Sequence, residues 1–141
     1  MIPLCVDPAK IDEMWPHVRS LIEMAFWAGR GDDSVDAIYQ ELKVQKSLLW
    51  IVWDDDNKQI ACAVTTRLIL TDRGKICLIT SCGGNQIEQW LKFLSEIEKY
   101  AKEEGCKFIR FSGRRGWIFY FKCEGWEEPW ITLEKQLIKD N

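Results

Sequence analysis

The chain has 141 residues, of which 47% are hydrophobic, and we predict one domain over residues 1–141 with a sizeable core. Its 22 acidic and 19 basic residues leave a net charge of −3, which gives no general attraction to nucleic acid or to a membrane surface. No apolar run approaches the ~20 residues that span a bilayer, and no signal-peptide pattern opens the sequence, so we expect a cytoplasmic protein. Six cysteines form no C-x-x-C pair and His17 is the only histidine, so the sequence predicts no metal site.

The first quarter of the chain predicts an edge strand and two helices. Residues 2–6 fit a short strand at the edge of a sheet. Asp7 is a typical N-cap, and apolar residues then recur at helical spacing as far as Phe26. Pro16 either kinks this helix or restarts it, and we leave both alternatives open. A shorter helix is predicted to begin after Ser34.

The middle of the chain predicts an antiparallel meander followed by a long helix. Its three strands are separated by turn sequences and cover residues 48–53, 59–70 and 75–81. One helix is then predicted from Asn85 to Ala101, ending at Gly105.

The last third predicts a strand over residues 106–112, a short helix over 117–123 and a final alternating strand over 130–137. The unit of strand, long helix and strand implies a parallel pair with a right-handed crossover. Because the meander before it is antiparallel, the prediction is an α/β fold with a mixed sheet.

The sequence Thr80-Ser81-Cys82-Gly83-Gly84-Asn85 predicts a turn between the third strand and the long helix. Backbone N–H groups at such a turn can hold a phosphate, and Cys82 to Asn85 would then form the loop. Alternatively, Asn85 and Glu88 form a capping box, in which side chains satisfy the helix's own N–H groups. The Glu88 carboxylate would also repel a phosphate at this place.

The order of these elements is similar to that of the GNAT (N-acetyltransferase) superfamily over nearly the whole chain. Two segments that resemble the family are the helix end Ala101-Lys102-Glu103-Glu104-Gly105-Cys106 and the helix and turn Tyr120-Phe121-Lys122-Cys123-Glu124-Gly125-Trp126. Four further segments resemble small GNAT-like proteins encoded in tailed-phage genomes: Trp15-Pro16, Leu49-Trp50-Ile51-Val52, Gly113-Arg114-Arg115-Gly116-Trp117 and Leu133-Glu134-Lys135-Gln136-Leu137. The resemblance implies a single-domain N-acyltransferase fold in which two parallel strands splay apart to hold acetyl-CoA.

The resemblance also implies candidate cofactor residues. They share the end of the third meander strand and the start of the helix: Ile79, Thr80, Ser81, Cys82, Gly83, Gly84, Asn85 and Gln86. The family's Q/R-x-x-G-x-G/A loop would fall on residues 85–90, where Glu88 and Trp90 stand in place of glycines.

The candidate catalytic and acceptor residues depend on the same resemblance. The family's proton-donating tyrosine would fall on Phe121, so the adjacent Tyr120 is the catalytic candidate. Acceptor-site candidates lie in the stretch after the first helix, at Trp27, Arg30 and Asp32, and the alternative for this stretch is a plain helix-to-helix turn. A general base could be Glu23 or Asp72, and the spacing selects neither.

Three further groups of residues have more than one interpretation. Cys82 and His17 could form a nucleophilic dyad, or Cys82 could simply pack in the core. Arg110, Arg114 and Arg115 could contact phosphates, or could be a solvated loop. An exposed patch of tryptophans (Trp117, Trp126 and Trp130) would favour a homo-oligomer or docking onto a larger protein assembly.

Two functions of different class therefore follow from the sequence. The first is a divergent acyl-CoA-dependent N-acyltransferase, transferring acetyl from acetyl-CoA to an amine. The second is a non-catalytic GNAT-like accessory or assembly protein, phage-encoded, that has lost cofactor binding. In the second, the fold serves only as a binding platform.

Overall fold

The structure is a computed structural model that describes residues 1–27 and 33–139. Its five strands are β1 (Ile2–Cys5), β2 (Leu48–Asp54), β3 (Gln59–Thr71), β4 (Gly74–Gly84) and β5 (Phe108–Phe111). Its α-helices are α1 (Ile11–Trp27), α2 (Val35–Lys43), α3 (Ile87–Trp90), α4 (Ser95–Glu103) and α5 (Trp117–Phe121). Short 3₁₀ turns cover Pro8–Lys10, Leu91–Leu94 and Lys122–Glu124.

The strands form one mixed sheet in the order β1-β2-β3-β4-β5. The pairs from β1 to β4 are antiparallel, and β5 joins β4 in parallel after the crossover through α3 and α4. The predicted mixed α/β sheet is confirmed, and so is the position of β1 at its edge.

Side chains cap the 3₁₀ turn before α1 and the start of α2, and the cap at Asp7 is the one that the sequence predicts. The Asp7 carboxylate accepts a hydrogen bond from the Ala9 N–H at 2.9 Å, and the Ser34 hydroxyl accepts one from the Ala37 N–H at 3.1 Å. Pro16 lies inside α1, which continues through it from Ile11 to Trp27. The alternative in which Pro16 restarts the helix is therefore wrong.

Each face of the sheet has its own hydrophobic cluster. On one face, α1 and α2 pack against β2 and β3 through buried residues such as Val18, Ile22, Ile38 and Leu42. On the other face, α3, α4 and α5 contribute Trp90, Ile97 and Phe121 to a cluster with residues of β3 and β4. Among the helices described, none is both long and apolar enough to cross a membrane.

Two predicted elements differ in the structure. The single helix expected from Asn85 to Ala101 is divided into α3, a 3₁₀ turn and α4. Its division begins at Trp90, which is fully buried and donates its indole N–H to the Asn85 carbonyl at 2.8 Å. The strand expected over residues 130–137 is absent, since the described residues after Glu124 contain no strand.

Candidate functional site

Strands β4 and β5 separate after a short parallel ladder. Their pairing runs from Ile76 opposite Phe108 to Ile79 opposite Phe111, where β5 ends. β4 continues to Gly84 and pairs there only with β3. Backbone N–H and C=O groups along a strand point alternately to its two sides. Past Ile79, the backbone N–H and C=O groups that point to the β5 side of β4 therefore have no strand opposite them.

A β-bulge lies at the point where the two strands separate. Thr66 of β3 is opposite Ile79 of β4, but Thr65 is opposite Ser81, so Thr80 is an extra residue. A bulge bends its strand and increases the local twist. The bulge therefore turns the second half of β4 away from the line of β5, and we call the place where the two strands are no longer paired the gap.

Three hydroxyl groups meet at the bulge. The Thr65 hydroxyl lies 2.6 Å from that of Thr80 and 2.5 Å from that of Ser81, and the Thr80 hydroxyl also donates to the Thr65 carbonyl at 3.2 Å. Thr65 and Ser81 are buried. Because these hydroxyls bond to one another, the groups of β4 left for a ligand are those of its backbone. Thr65 is a member of this site that the sequence analysis did not include.

Gly83 and Gly84 belong to β4, so the prediction of a glycine turn at Cys82–Gly84 is wrong. A Cβ on Gly83 would lie 2.0 Å from the Leu21 carbonyl oxygen of α1, and one on Gly84 would lie 2.4 Å from the Ala61 carbonyl oxygen. Both glycines are needed because other backbone passes too close for a side chain. Their role in this structure is to let α1 and β3 approach β4.

The turn into α3 consists of Asn85 and Gln86. The Asn85 N–H donates to the Ala61 carbonyl at 3.1 Å, and Gln86 has left-handed backbone angles (φ 56, ψ 57). Gln86 is the residue that precedes the helix, and no side chain caps it. The predicted capping box between Asn85 and Glu88 is therefore wrong. Among described residues, the backbone N–H groups of residues 86–88 have no acceptor.

The aromatic residues of α5 divide between the core and its rim. Phe121 is buried in the same cluster as Ile79 and Cys82, with ring contacts to Phe111 and Trp126 at 5.2 and 4.9 Å. Tyr120 is half-buried, and its ring lies 6.4 Å from that of Trp117 and 5.2 Å from that of Phe119. As the sequence indicates, the position of the family's tyrosine is filled by a phenylalanine in the core.

The structure does not bring Cys82 and His17 together. Cys82 is buried in the cluster beneath α3 and α4, and burial raises the pKa of its thiol well above the ordinary value. His17 is exposed on α1, which packs on the opposite face of the sheet. The dyad is therefore wrong, because the sheet separates the two residues and Cys82 is held as a neutral thiol.

The other candidate residues are dispersed. Glu23 accepts a hydrogen bond from Arg19 at 2.8 Å on α1, and Asp72 lies before β4, at the end of the strand opposite to the bulge. Of the acceptor-site candidates, Arg30 and Asp32 lie outside the described residues, as does the side chain of Trp27. Within the described ranges, no cluster of three or more His, Cys, Asp or Glu residues could hold a metal ion.

A large cleft lies on the other side of β5, away from β4. It has a volume of about 900 Å³ and is lined by β5, the loop at 112–115, α5 and residues 124–133. Arg110 lies in this wall with its guanidinium 4.8 Å from the Trp130 ring centre, and Arg114 and Arg115 are in the exposed loop. No residue of β4 is among those that line the cleft.

No protein-family model and no curated protein sequence matches the chain. Solved structures do match it over its whole length. A probable acetyltransferase superposes with a TM-score of 0.71 at 11% identity, covering 100% of both chains. A ribosomal-protein-alanine N-acetyltransferase from Brucella melitensis gives 0.68 at 10% identity, covering 97% of this chain and 100% of the other. A predicted acetyltransferase from Clostridium acetobutylicum, solved with acetyl-CoA, gives 0.66 at 15% identity, covering 94% of each.

These comparisons show that the chain has the fold of GNAT-type acetyltransferases. The fold predicted from the sequence is thereby confirmed. At such low identities the likeness is one of fold, and function has to be argued from the site.

Proposed function

We propose that this protein is a divergent acyl-CoA-dependent N-acyltransferase acting in the cytoplasm, with acetyl-CoA as its cofactor. The observation that carries the proposal is the gap between β4 and β5, which begins at Ile79 where Thr80 bulges out of register. An extended ligand with amide groups can bond to an unpaired strand backbone as another strand would. A fold shared with acetyltransferases supports placing the acyl donor in that gap.

The backbone of β4 supplies the chemistry that such a reaction needs from the protein. When bound, acetyl-CoA supplies an acyl group activated as a thioester. Backbone N–H groups on the open side of β4, past Ile79, orient the carbonyl and stabilise the negative charge that develops on its oxygen. The acceptor amine would form the new C–N bond as the C–S bond breaks; the electron pair would leave on sulfur, the nitrogen would lose one proton to solvent or to a general base, and the sulfur would take up one proton. Positioning of the two reactants is then the main contribution of the protein.

Tyr120 is the candidate donor of the proton that the departing sulfur receives. A thiol has a pKa near 8.5, so the leaving thiolate needs little help at neutral pH. We therefore expect Tyr120→Phe to lower kcat by about tenfold or less, below the usual range for a general acid, with KM unchanged. The acceptor-site candidates Trp27, Arg30 and Asp32 remain part of the proposal.

The turn at residues 86–88 is the proposed site of the cofactor's diphosphate. Its N–H groups lack acceptors in the described part of the chain, and the side chains of Asn85 and Gln86 are exposed. Glu88 is also exposed here and places a carboxylate where the ligand is negative. Affinity for the cofactor is therefore expected to be weakened by this one charge.

A charge-removal experiment tests the proposal. Titration calorimetry with acetyl-CoA is expected to show binding to the wild type and about threefold tighter binding to Glu88→Gln at low salt. Glu96→Gln is the matched control, because Glu96 is equally exposed but lies on α4. Equal affinities for the two variants would contradict the placement of the diphosphate. No binding by any of the three proteins would contradict the enzyme.

A second function, a non-catalytic accessory or assembly protein, is favoured by a separate observation. Gly83 and Gly84 allow α1 and β3 to pack closely on β4, so their role is structural. Glu88 and Trp90 occupy the positions at which the family's loop has glycines. The segments that resemble phage-encoded GNAT-like proteins fit this second function. Thermal stability distinguishes the two functions, since a ligand at 100 times its Kd adds about 2.7 kcal/mol. No change in Tm at millimolar acetyl-CoA would favour the accessory protein.

A further inference from the structure

A row of three side chains crosses the sheet just before β4 and β5 separate. Arg67 of β3 is opposite Leu78 of β4, and Leu78 is opposite Arg110 of β5. Residues directly opposite one another share a face of the sheet, so the two arginines flank Leu78 on one face. The next pair along, Ile79 with Phe111, is the last of the parallel ladder. The row therefore lies one residue, about 3.3 Å along the strand, before the gap.

This row is on the face of the sheet against which α1 and α2 pack. Arg67 forms a salt bridge with Glu41 of α2, and the two charged groups are 2.6 Å apart. Ile109 and Phe111, the neighbours of Arg110 along β5, pack in the cluster with α3 and α4 on the opposite face. Because successive side chains of a strand alternate between the two faces, Arg110 points to the face of α1 and α2.

An acceptor amine would reach the gap from this same face. On the opposite face, Ile79 and Cys82 are buried in the cluster with α3 and α4. On the face of α1 and α2, Leu78 and Thr80 are only half-buried. An amine that attacks a thioester held in the gap would therefore approach over Leu78 and Thr80, beside Arg110.

Of the two arginines, only Arg67 has a carboxylate partner among the residues that the structure describes. Its partner Glu41 also accepts a hydrogen bond from the Ser47 hydroxyl at 2.6 Å, so this pair is held in place within the fold. Arg110 instead lies against the Trp130 ring, with its guanidinium 4.8 Å from the ring centre. Four glutamates line the cleft near Arg110, and in the described ranges none of them forms a salt bridge with it. Arg110 is thus a cation that is held in position with its charge left for a ligand.

We propose that the acceptor of the acyl transfer carries an anionic group, a phosphate or a carboxylate, and that Arg110 binds this group while the amine faces the gap. The inference rests on the proposed N-acyltransferase function and adds the class of acceptor to it. A guanidinium presents two parallel N–H donors to either anion, and stacking on an aromatic ring fixes its plane. Arg114 and Arg115 follow β5 in the exposed loop and add positive potential at this end of the strand. The anionic group takes no part in the bonds that form and break.

Acetyl transfer by the full chain, followed by thiol release, tests the acceptor class with O-phosphoethanolamine, β-alanine and ethanolamine. The three amines share an aminoethyl group and end in a phosphate, a carboxylate and a neutral hydroxyl. We expect kcat/KM to be about tenfold higher for an anionic amine than for ethanolamine, as one charge-assisted contact allows, and the better of the two identifies the anion. Arg110→Gln is expected to remove this preference mainly through KM, and Arg110→Lys to restore part of it.

Arg73→Gln is the matched control. Arg73 also lies over an aromatic ring, 5.0 Å from the centre of Phe108, but it precedes β4 at the end of the strand opposite to the gap. This variant is expected to keep the preference for the anionic amine. Equal use of all three amines by the wild type would overturn the proposal. An equal loss with all three in Arg110→Gln would also overturn it, because the role of Arg110 would then be structural.

A binding measurement separates this proposal from that of the enzyme. Tm is measured with millimolar O-phosphoethanolamine or β-alanine, against ethanolamine at equal ionic strength. A rise in Tm with an anionic amine, lost in Arg110→Gln, would support the anion site even in a protein that binds no acetyl-CoA, and the enzyme alone would then be refuted. A protein that binds acetyl-CoA but shows neither this rise nor transfer to an anionic amine would keep the proposed function and refute this acceptor class.

Discussion

Replacing Gly83 by alanine tests whether this glycine serves packing or phosphate binding. The new Cβ would lie 2.0 Å from the Leu21 carbonyl oxygen and 3.1 Å from its carbonyl carbon. A carbon–oxygen contact needs about 3.3 Å, so α1 and β4 would have to move apart by about 1.3 Å. Both partners are backbone in regular structure, and neither can rotate away. We expect a loss of about 3 kcal/mol, the upper part of the range for overpacking.

The assay is unfolding by heat and by urea, followed by circular dichroism. A loss of about 3 kcal/mol in a chain of this size lowers Tm by about 10 °C. Gly116→Ala is the control, because nothing lies within 4 Å of its Cβ position and its φ is −58. We expect that variant to equal the wild type or to gain up to about 1 kcal/mol. If Gly83→Ala unfolds like the wild type but loses acetyl-CoA binding, the glycine serves the ligand and our interpretation of its contacts is refuted.

Two further predictions concern titrating groups. Hydrogen bonds from the Asn57 side chain and backbone lower the pKa of Asp54. The charged carboxylate therefore stabilises the turn between β2 and β3 above about pH 4. This contribution to stability disappears as the pH falls through the lowered pKa. Asp54→Asn should therefore lower Tm at pH 7 but not at pH 2, and an equal deficit at both would contradict this account. Burial raises the pKa of three thiols, to about 12 for Cys62, to about 11 for Cys77 and well above the ordinary value for Cys82. A thiol reagent at pH 8 should leave these three unmodified in the folded protein by mass spectrometry, and early labelling of Cys82 would indicate a reactive thiolate.

The hydroxyl cluster could have been found from the sequence by counting along the predicted hairpin. With Thr71 opposite Gly74, a regular antiparallel register places Thr65 opposite Thr80. The bulge shifts Thr65 to Ser81, and the Thr65 hydroxyl bonds to both residues. The pairing of polar positions in two apolar strands was thus predictable. The bulge was not, because nothing local to Thr80 distinguishes it from a regular strand residue.

The role of the glycines could not be deduced from their neighbours in the sequence. Gly83 is required by Leu21, which is distant in sequence and meets it only through the packing of α1 on β4. A Gly-Gly pair before a helix is equally compatible with a turn, and local propensity favoured that interpretation. The divided helix is a similar case. Apolar residues spaced by three fit both an α-helix and a 3₁₀ turn, so the pattern from Ile87 to Leu94 does not separate them.

The missing last strand shows a different kind of limit. Alternation in residues 130–137 predicts how the backbone extends, but a strand exists only where a partner accepts its hydrogen bonds. The structure of one chain shows the segment without such a partner. The pattern therefore predicts an extended backbone here, and the strand is absent because no described strand pairs with it.

The surroundings of β4 explain why its open side is suited to a ligand. Past Ile79 the strand is paired with β3 on one side, its Gly83 touches α1 on one face, and Cys82 packs in the cluster of Trp90 on the other. On the remaining side, which β5 leaves at Ile79, no described strand pairs with it. A backbone held in this way cannot relax to satisfy its own N–H groups, and donors fixed before a ligand arrives stabilise developing charge most effectively. The packing that excludes a glycine phosphate loop therefore also orients the donors on which the proposed acyl transfer depends.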